Sequence, residues 1–483
     1  MSAVGRAAGR GAPTESEGRA GIGAGHATPT AGHAASRAGH AASIAAGGET
    51  VPPGLLIEGA ASIATLAGGI RRGATQADAA EIGGGALAVA AWGDRLIAAG
   101  PQNEVLHRIV AAGYSLNDFA RLDAAGCLVT PGLIDAHSHL VFAGTREAEW
   151  QMRARGAGYL ETLDAGGGIL STVAATRAAS DSDLLAGARR RLSEMLANGT
   201  TTAEAKSGYG LDVVTEVRIL DVIGRLDREG PVELVPTYLG AHAVPTEFRG
   251  RPDGTEAYVD QVIREQLPAV ALQGVARFCD VFCERGVFDP DQAARIFGAA
   301  KNLGLRLRVH ADELLPSGGA ELAVEIGCVS ADHLATPSSA GVAALARAAA
   351  TGRPVVATLL PATSWFLGQH HFAPARRFID AGIPVALATD LNPGTSPTVS
   401  LPLTMSIACV EMGLLPAEAL VAVTINAAHS IGLGAELGSI EPGKQADLVI
   451  WDVPNLGQVP YWLGSNRVRA VVKRGRTVFE REL

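Results

Sequence analysis

Eight short apolar runs rich in β-forming residues succeed one another through the middle of this 483-residue chain: Leu133–Leu140, Thr200–Lys206, Val232–Leu239, Phe278–Cys283, Leu305–Val309, Val329–Leu334, Val355–Leu360 and Val385–Thr389. Most gaps between them carry Ala/Leu/Arg/Glu-rich helical patterns, clearest at Leu184–Leu196 and Asp291–Asn302. Parallel strands need a crossover long enough to hold a helix, so strand–helix alternation repeated eight times is the signature of a (β/α)8 barrel. The spacing predicts an α/β fold with a TIM barrel over 131–435. Both chain ends have another texture, Val/Ile/Leu/Ala pieces broken by glycines at Ala86–Trp92, Arg95–Gly100, Ala446–Trp451 and Val468–Gly475. They predict one small β-rich domain assembled from 51–130 and 436–483.

Residues 1–50 are Ala, Gly, Ser, Thr and Arg with Ala-Gly-His at 24–26, 31–33 and 38–40. So few large apolar residues cannot offset ordering entropy, and the segment reads as a disordered low-complexity tail. An organelle-targeting segment, a start set too far upstream and weak metal binding by His26, His33 and His40 are the other readings. The net charge of −9 is dispersed, without a basic stripe, which argues against nucleic acid as a partner. No apolar run reaches membrane-spanning length, so no membrane association is expected. Five cysteines, an odd number without a short-spaced framework, fit a reducing, cytoplasmic setting. Cys279 and Cys283 read as core residues rather than metal ligands.

In a (β/α)8 barrel chemistry collects at the C-terminal strand ends. Here those ends deliver His137 and His139, then Glu204 and Lys206, His242, Glu284, His310 with Asp312 and Glu313, Asp332 and His333, and finally Asp390. Of the eight histidines outside the tail and His107, five lie at strand ends. Core histidines would not concentrate there. In an extended strand His137 and His139 point the same way, with Cα atoms about 6.7 Å apart, a spacing that suits one ion. His137, His139, His310 and Asp390 form an N/O donor set suited to one divalent ion per subunit, Zn2+ or Fe2+, with a position left for water. Such an ion lowers the pKa of its water from ~15.7 to ~7. Asp390 could orient or deprotonate that water, His333 could relay a proton or stabilise the attacked carbonyl oxygen, and Glu313 could pass a proton to a leaving nitrogen. Lys206 reads as a lysine orienting its neighbours beside a mononuclear site. Arg146, seven residues beyond His139, could hold a carboxylate bidentately, a surface salt bridge being the alternative. Tyr209, between two glycines, is expected to face the cavity. Asn392-Pro393-Gly394-Thr395-Ser396-Pro397 offers backbone N–H groups and a hydroxyl for an anion.

Taken in order, these residues resemble the amidohydrolase superfamily and, within it, the imidazolonepropionase family. The matching segments are His137-Ser138-His139-Leu140-Val141-Phe142-Ala143-Gly144-Thr145-Arg146-Glu147, Gly166-Gly167-Gly168-Ile169-Leu170-Ser171-Thr172-Val173, Lys206-Ser207-Gly208-Tyr209-Gly210-Leu211, Gly240-Ala241-His242-Ala243, His310-Ala311-Asp312-Glu313, Ser330-Ala331-Asp332-His333-Leu334 and Ala388-Thr389-Asp390-Leu391-Asn392-Pro393-Gly394. The resemblance implies Zn2+ or Fe2+/Fe3+ on His137, His139, His310 and Asp390, with Glu313, His333 and Asp390 catalytic. It implies substrate or product contacts from Arg146, Tyr209, His242, Glu313, Asn392, Gly394 and Thr395, with Tyr159 as a further candidate. The implied reaction is hydrolysis of the cyclic amide C–N bond of 4-imidazolone-5-propanoate to N-formimidoyl-L-glutamate, a step of L-histidine degradation, in a homodimer. Ser138, where the family usually has threonine, and the N-terminal tail depart from the pattern. A mononuclear nucleobase-type deaminase is the nearest rival, and a non-catalytic scaffold of the same fold a remote one. Arg146 discriminates against the first, because a neutral base gives a guanidinium nothing to hold.

Overall fold

The computed structural model describes residues 52–156 and 167–482, so the N-terminal tail and Tyr159 lie outside the described residues. Five strands precede the barrel: β1 (Gly54–Ala64), β2 (Glu81–Trp92), β3 (Arg95–Pro101), β4 (Phe119–Asp123) and β5 (Leu128–Pro131). Eight more then pair in parallel and in chain order: β6 (Leu133–Asp135), β7 (Thr200–Lys206), β8 (Glu233–Ala241), β9 (Phe278–Cys283), β10 (Arg306–Ala311), β11 (Ser330–His333), β12 (Val356–Leu359) and β13 (Val385–Leu387). Each coincides with one of the eight apolar runs. Helices fill the crossovers as their caps dictate: Ser180 accepts from the Asp183 N–H to start Asp181–Ala197, and a capping box of Asp289 and Gln292 starts Pro290–Asn302.

β6 is shorter than its apolar run. The regular ladder stops at Asp135 because Glu204 takes over as partner: its carboxylate accepts from the Ser138 N–H (3.3 Å) and its carbonyl from the Ser138 hydroxyl (2.6 Å). The seam between β6 and β13 is closed just beyond both strands. The Asp390 N–H donates to the His137 carbonyl (3.0 Å) and the His139 N–H to the Leu391 carbonyl (2.8 Å), so two site-bearing segments form the barrel's last stitch.

After the barrel come β14 (Leu448–Trp451), β15 (Val468–Lys473) and β16 (Arg476–Glu480), which join the opening strands in one sheet ordered β16-β15-β14-β5-β1-β2-β3, with β4 beside β1. Leu55, Ile57, Ile63 and Val89 from one chain end pack with Leu448, Ile450 and Val472 from the other, a core separate from the barrel's. Charged groups fasten sheet to barrel. Lys473 reaches Asp447 at 2.7 Å and Glu233 of β8 at 3.4 Å, and Arg474 meets Glu233 at 2.9 Å. Among the described residues no helix is long and apolar enough to cross a membrane.

Candidate active site

The histidine rings converge at the C-terminal mouth of the barrel. Ring centroids lie 5.4 Å apart for His137 and His139, 4.5 Å for His137 and His310, and 5.2 Å for His310 and His333. Asp390 closes the group, its Oδ1 3.5 Å from His137 Nε2 and 3.4 Å from His139 Nε2. The backbone is strained where these groups are presented: His333 and Asp390 adopt φ of 72° and 52°, the left-handed region that non-glycine residues enter at a cost.

Buried carboxylates behind the rings fix which nitrogen faces the centre. Asp332 Oδ2 accepts from His137 Nδ1 at 2.7 Å, and Asp280 Oδ1 from His310 Nδ1 at 3.0 Å. Each Nδ1 therefore carries its proton, and each Nε2 lone pair points inward. Both Nε2 atoms are buried without a hydrogen-bond partner. Inward lone pairs that nothing in the protein satisfies are what a cation site requires. Ligand atoms within 4.8 Å of one another fall into three overlapping sets among the described residues: His137, His139 and Asp390; His137, His310 and His333; His139, His242 and His310. The residues fit one ion, although no single set holds all four sequence-derived ligands.

A second tier of charge holds the carboxylates. Lys206 Nζ lies 2.7 Å from Asp280, 3.0 Å from Glu204 and 3.9 Å from Asp332, while Arg308 donates to Asp332 at 2.8 Å. Burial works against the Lys206 ammonium, but Asp280 and Glu204 outweigh it and raise its pKa above the usual lysine value. Burial likewise opposes the Asp280 carboxylate, yet His310 and Lys206 keep it well below the usual range. His137 and His139 are pushed well below the usual histidine value by burial first, so both rings are neutral donors.

On the next wall His333 Nε2 lies 3.4 Å from Glu313 Oε2. Burial lowers the His333 pKa to about 3, and burial together with the Asp390 and Glu284 charges raises that of Glu313 to about 8. Near neutrality this pair is a neutral imidazole beside a protonated carboxyl. Thr363 donates to Asp390 Oδ2 at 2.6 Å, leaving Oδ1 toward the rings.

His139, His310, His333, Asp390 and Glu313 open into a cavity of about 790 Å3 whose wall also carries Arg146, Tyr209, His242, Asn392 and Thr395. The Tyr209 loop is tied down by Glu216, which accepts from the N–H groups of Gly208, Gly210 and Leu211. His242 stacks on His139 (4.8 Å, 11°) and hydrogen-bonds the Gly208 carbonyl through Nδ1, turning Nε2 away from that loop. Two expectations need correction. The N–H groups of Gly394 and Thr395 are not open to an anion, because both donate to the Asn392 side-chain oxygen, at 2.9 and 2.7 Å. Arg146 forms a salt bridge, to Glu149, but a largely buried one rather than the surface pair offered as the alternative, and its side chain also lines the cavity. Sequence reasoning gave Asp280, Arg308, Glu216, Thr363 and Glu149 no role. Glu216 had a local signal, a carboxylate five residues after Leu211 on the following helix. Asp280 had little, lying inside an apolar strand.

The fold and site define the class: an amidohydrolase-type barrel. Residues 284–478 match the model of the amidohydrolase family. In solved structures the fold is similar to a triazine hydrolase variant (TM-score 0.65, 18% identity, covering 88% of this chain and 95% of that one) and to 5-methylcytosine deaminase from Klebsiella pneumoniae (0.64, 17%, 89% and 99%). In sequence the chain is 52% identical to the imidazolonepropionase of Geobacillus kaustophilus over 79% of this chain and 88% of that protein. It is 48% identical to that of Symbiobacterium thermophilum over 89% and 98%. The chain belongs to the imidazolonepropionase family.

Proposed function

We propose that this chain hydrolyses the ring C–N bond of 4-imidazolone-5-propanoate to give N-formimidoyl-L-glutamate in histidine degradation, at the site of His137, His139, His310 and Asp390. One observation carries the reading beyond family membership: a single cavity joins the histidine cluster to the Arg146 guanidinium. A substrate with a ring carbonyl at one end and a carboxylate at the other matches these two ends in charge and chemistry.

A divalent ion on those four residues, Zn2+ or Fe2+ by their chemistry, would supply Lewis acidity toward the carbonyl and make water at the site acidic. The chain's own groups do the rest. Asp332 and Asp280 hold the His137 and His310 rings in the tautomer that presents Nε2. Asp390, held by Thr363, presents Oδ1 as the base that takes a proton from the attacking water. His333, neutral through burial, donates a hydrogen bond from its ring N–H to the carbonyl oxygen without carrying charge. Glu313, protonated near neutrality, hands its proton to the ring nitrogen as the C–N bond breaks. Arg146 holds the propionate, and Tyr209 and His242 line the ring's path.

The deaminase reading rests on fold alone, since the deaminase of similar fold is 17% identical. Purified protein given imidazolonepropionate, and separately cytosine and guanine, separates the two. Loss of the imidazolone with formation of formimidoylglutamate is expected. Ammonia release from a base, with the imidazolone untouched, overturns the reading.

A further inference from the structure

The helix Glu147–Ala154 begins at Arg146 and carries Glu149 and Arg153 three and then four residues on, so one helix face bears all three side chains. Glu149 is almost fully buried, 6% exposed, and its carboxylate has three donors: Arg146 Nε (2.8 Å), Arg146 Nη2 (2.7 Å) and the Gly168 N–H (2.9 Å). That bidentate pairing consumes the side edge of the Arg146 guanidinium. The end edge, Nη1 with the second proton of Nη2, is left for another acceptor. It lies against Gly394, where any Cβ would overlap Nη1. Arg153 also meets that glycine, donating through Nη2 to the Gly394 carbonyl at 3.3 Å, its guanidinium 5.7 Å from the Phe366 ring centre. Arg146 and Arg153 both line the cavity that holds the histidine cluster.

The charge balance of this wall is uneven. Among the described residues Arg146 pairs with Glu149, whose charge also acts on Arg153, so two guanidiniums face one carboxylate on a partly desolvated surface. Burial lowers the Arg153 pKa, Glu149 opposing, and the neighbouring Arg146 lowers it further. A half-buried cation pair of this kind is stabilised by an incoming anion.

We propose that Arg153 is a second contact for the substrate carboxylate, closing on it together with the end edge of Arg146, and that Glu149 is a positioning residue that presets the Arg146 guanidinium. The inference rests on the functional reading above, which supplies a propionate as the anion. It assigns carboxylate recognition to two arginines, one of them held by a carboxylate of the protein.

The test uses wild type, Arg153→Gln, Arg153→Lys, Glu149→Gln and, as control, Arg155→Gln, which removes the same charge from an exposed position just past the helix. Steady-state kinetics with imidazolonepropionate are paired with calorimetric binding of imidazole-4-propionate and of 4-propylimidazole, which lacks the carboxylate. Arg153→Gln should raise KM about tenfold with kcat changed less than about twofold, and lose most of the preference for the propionate ligand. Arg153→Lys should recover part of both, Glu149→Gln should raise KM, and Arg155→Gln should match wild type. Wild-type KM and ligand preference in Arg153→Gln overturn the proposal while leaving the function intact. Wild type that neither hydrolyses the imidazolone nor prefers the propionate overturns the functional reading itself.

Discussion

His137 Nδ1 lies 2.7 Å from Asp332 Oδ2, and both side chains are fully buried. The same Asp332 oxygen accepts from Arg308 at 2.8 Å, so a fixed cation holds the carboxylate that holds the ring. Replacing Asp332 with Asn removes the charge while keeping the shape. Metal affinity, measured by competition with a chromogenic chelator on folded protein, should weaken about 10–100-fold. Unchanged affinity would mean that Asp332 serves folding alone.

Glu313 gives a pH signature. With its pKa raised to about 8 by burial and by Asp390 and Glu284, the carboxyl carries its proton through neutrality and loses it as pH climbs through 8. As the general acid it makes kcat fall on the alkaline side. In Glu313→Gln, kcat should drop about 10²–10⁴-fold and that alkaline limb should vanish. A variant retaining the limb shows that another group titrates there.

Gly394 packs closely against the Arg146 guanidinium. A methyl group at this position would meet the guanidinium directly. Gly394→Ala should therefore raise KM by about an order of magnitude while kcat changes little, the pattern expected when binding shared by ground and transition states is lost. An equal fall in kcat and kcat/KM would place the damage at the chemistry instead.

Acid stability should report the join between sheet and barrel. Burial would raise the Glu233 pKa, but Lys473 and Arg474 outweigh it and bring the value from 4.5 down to about 2. A depressed folded-state pKa contributes stability that is complete above about 4.5 and is lost as pH falls toward 2. The urea-unfolding difference between wild type and Glu233→Gln should be on the order of 2–3 kcal/mol near pH 6 and shrink through that window. A difference independent of pH would show that the pairing adds no charge-linked stability.

The barrel was legible because its strands are apolar on both faces and separated by helical periodicity; Val281 and Leu307 leave the same trace in sequence as in space. The two-ended sheet was legible from glycine-broken β texture. What escaped was the support of the site. Asp280 sits between Cys279 and Val281 with no local mark of its role, and its partners His310 and Lys206 lie 30 and 74 positions away. Strand register, set by the whole barrel, brings them together. Glu149 was closer to legible, since Arg-x-x-Glu at helical spacing announces a pair. The Asn392 turn misled because a loop rich in N–H groups looks like an anion cradle until its own side chain takes them.

The most direct test of the account is turnover against bound metal. Protein stripped by chelation is reloaded with Zn2+ or Fe2+ in steps, and formimidoylglutamate formation and metal per chain are measured on the same samples. Activity should be absent without metal, rise in proportion to it and level off at one ion per chain. Full turnover in stripped protein, or a plateau reached only at two ions per chain, would contradict the single site of His137, His139, His310 and Asp390.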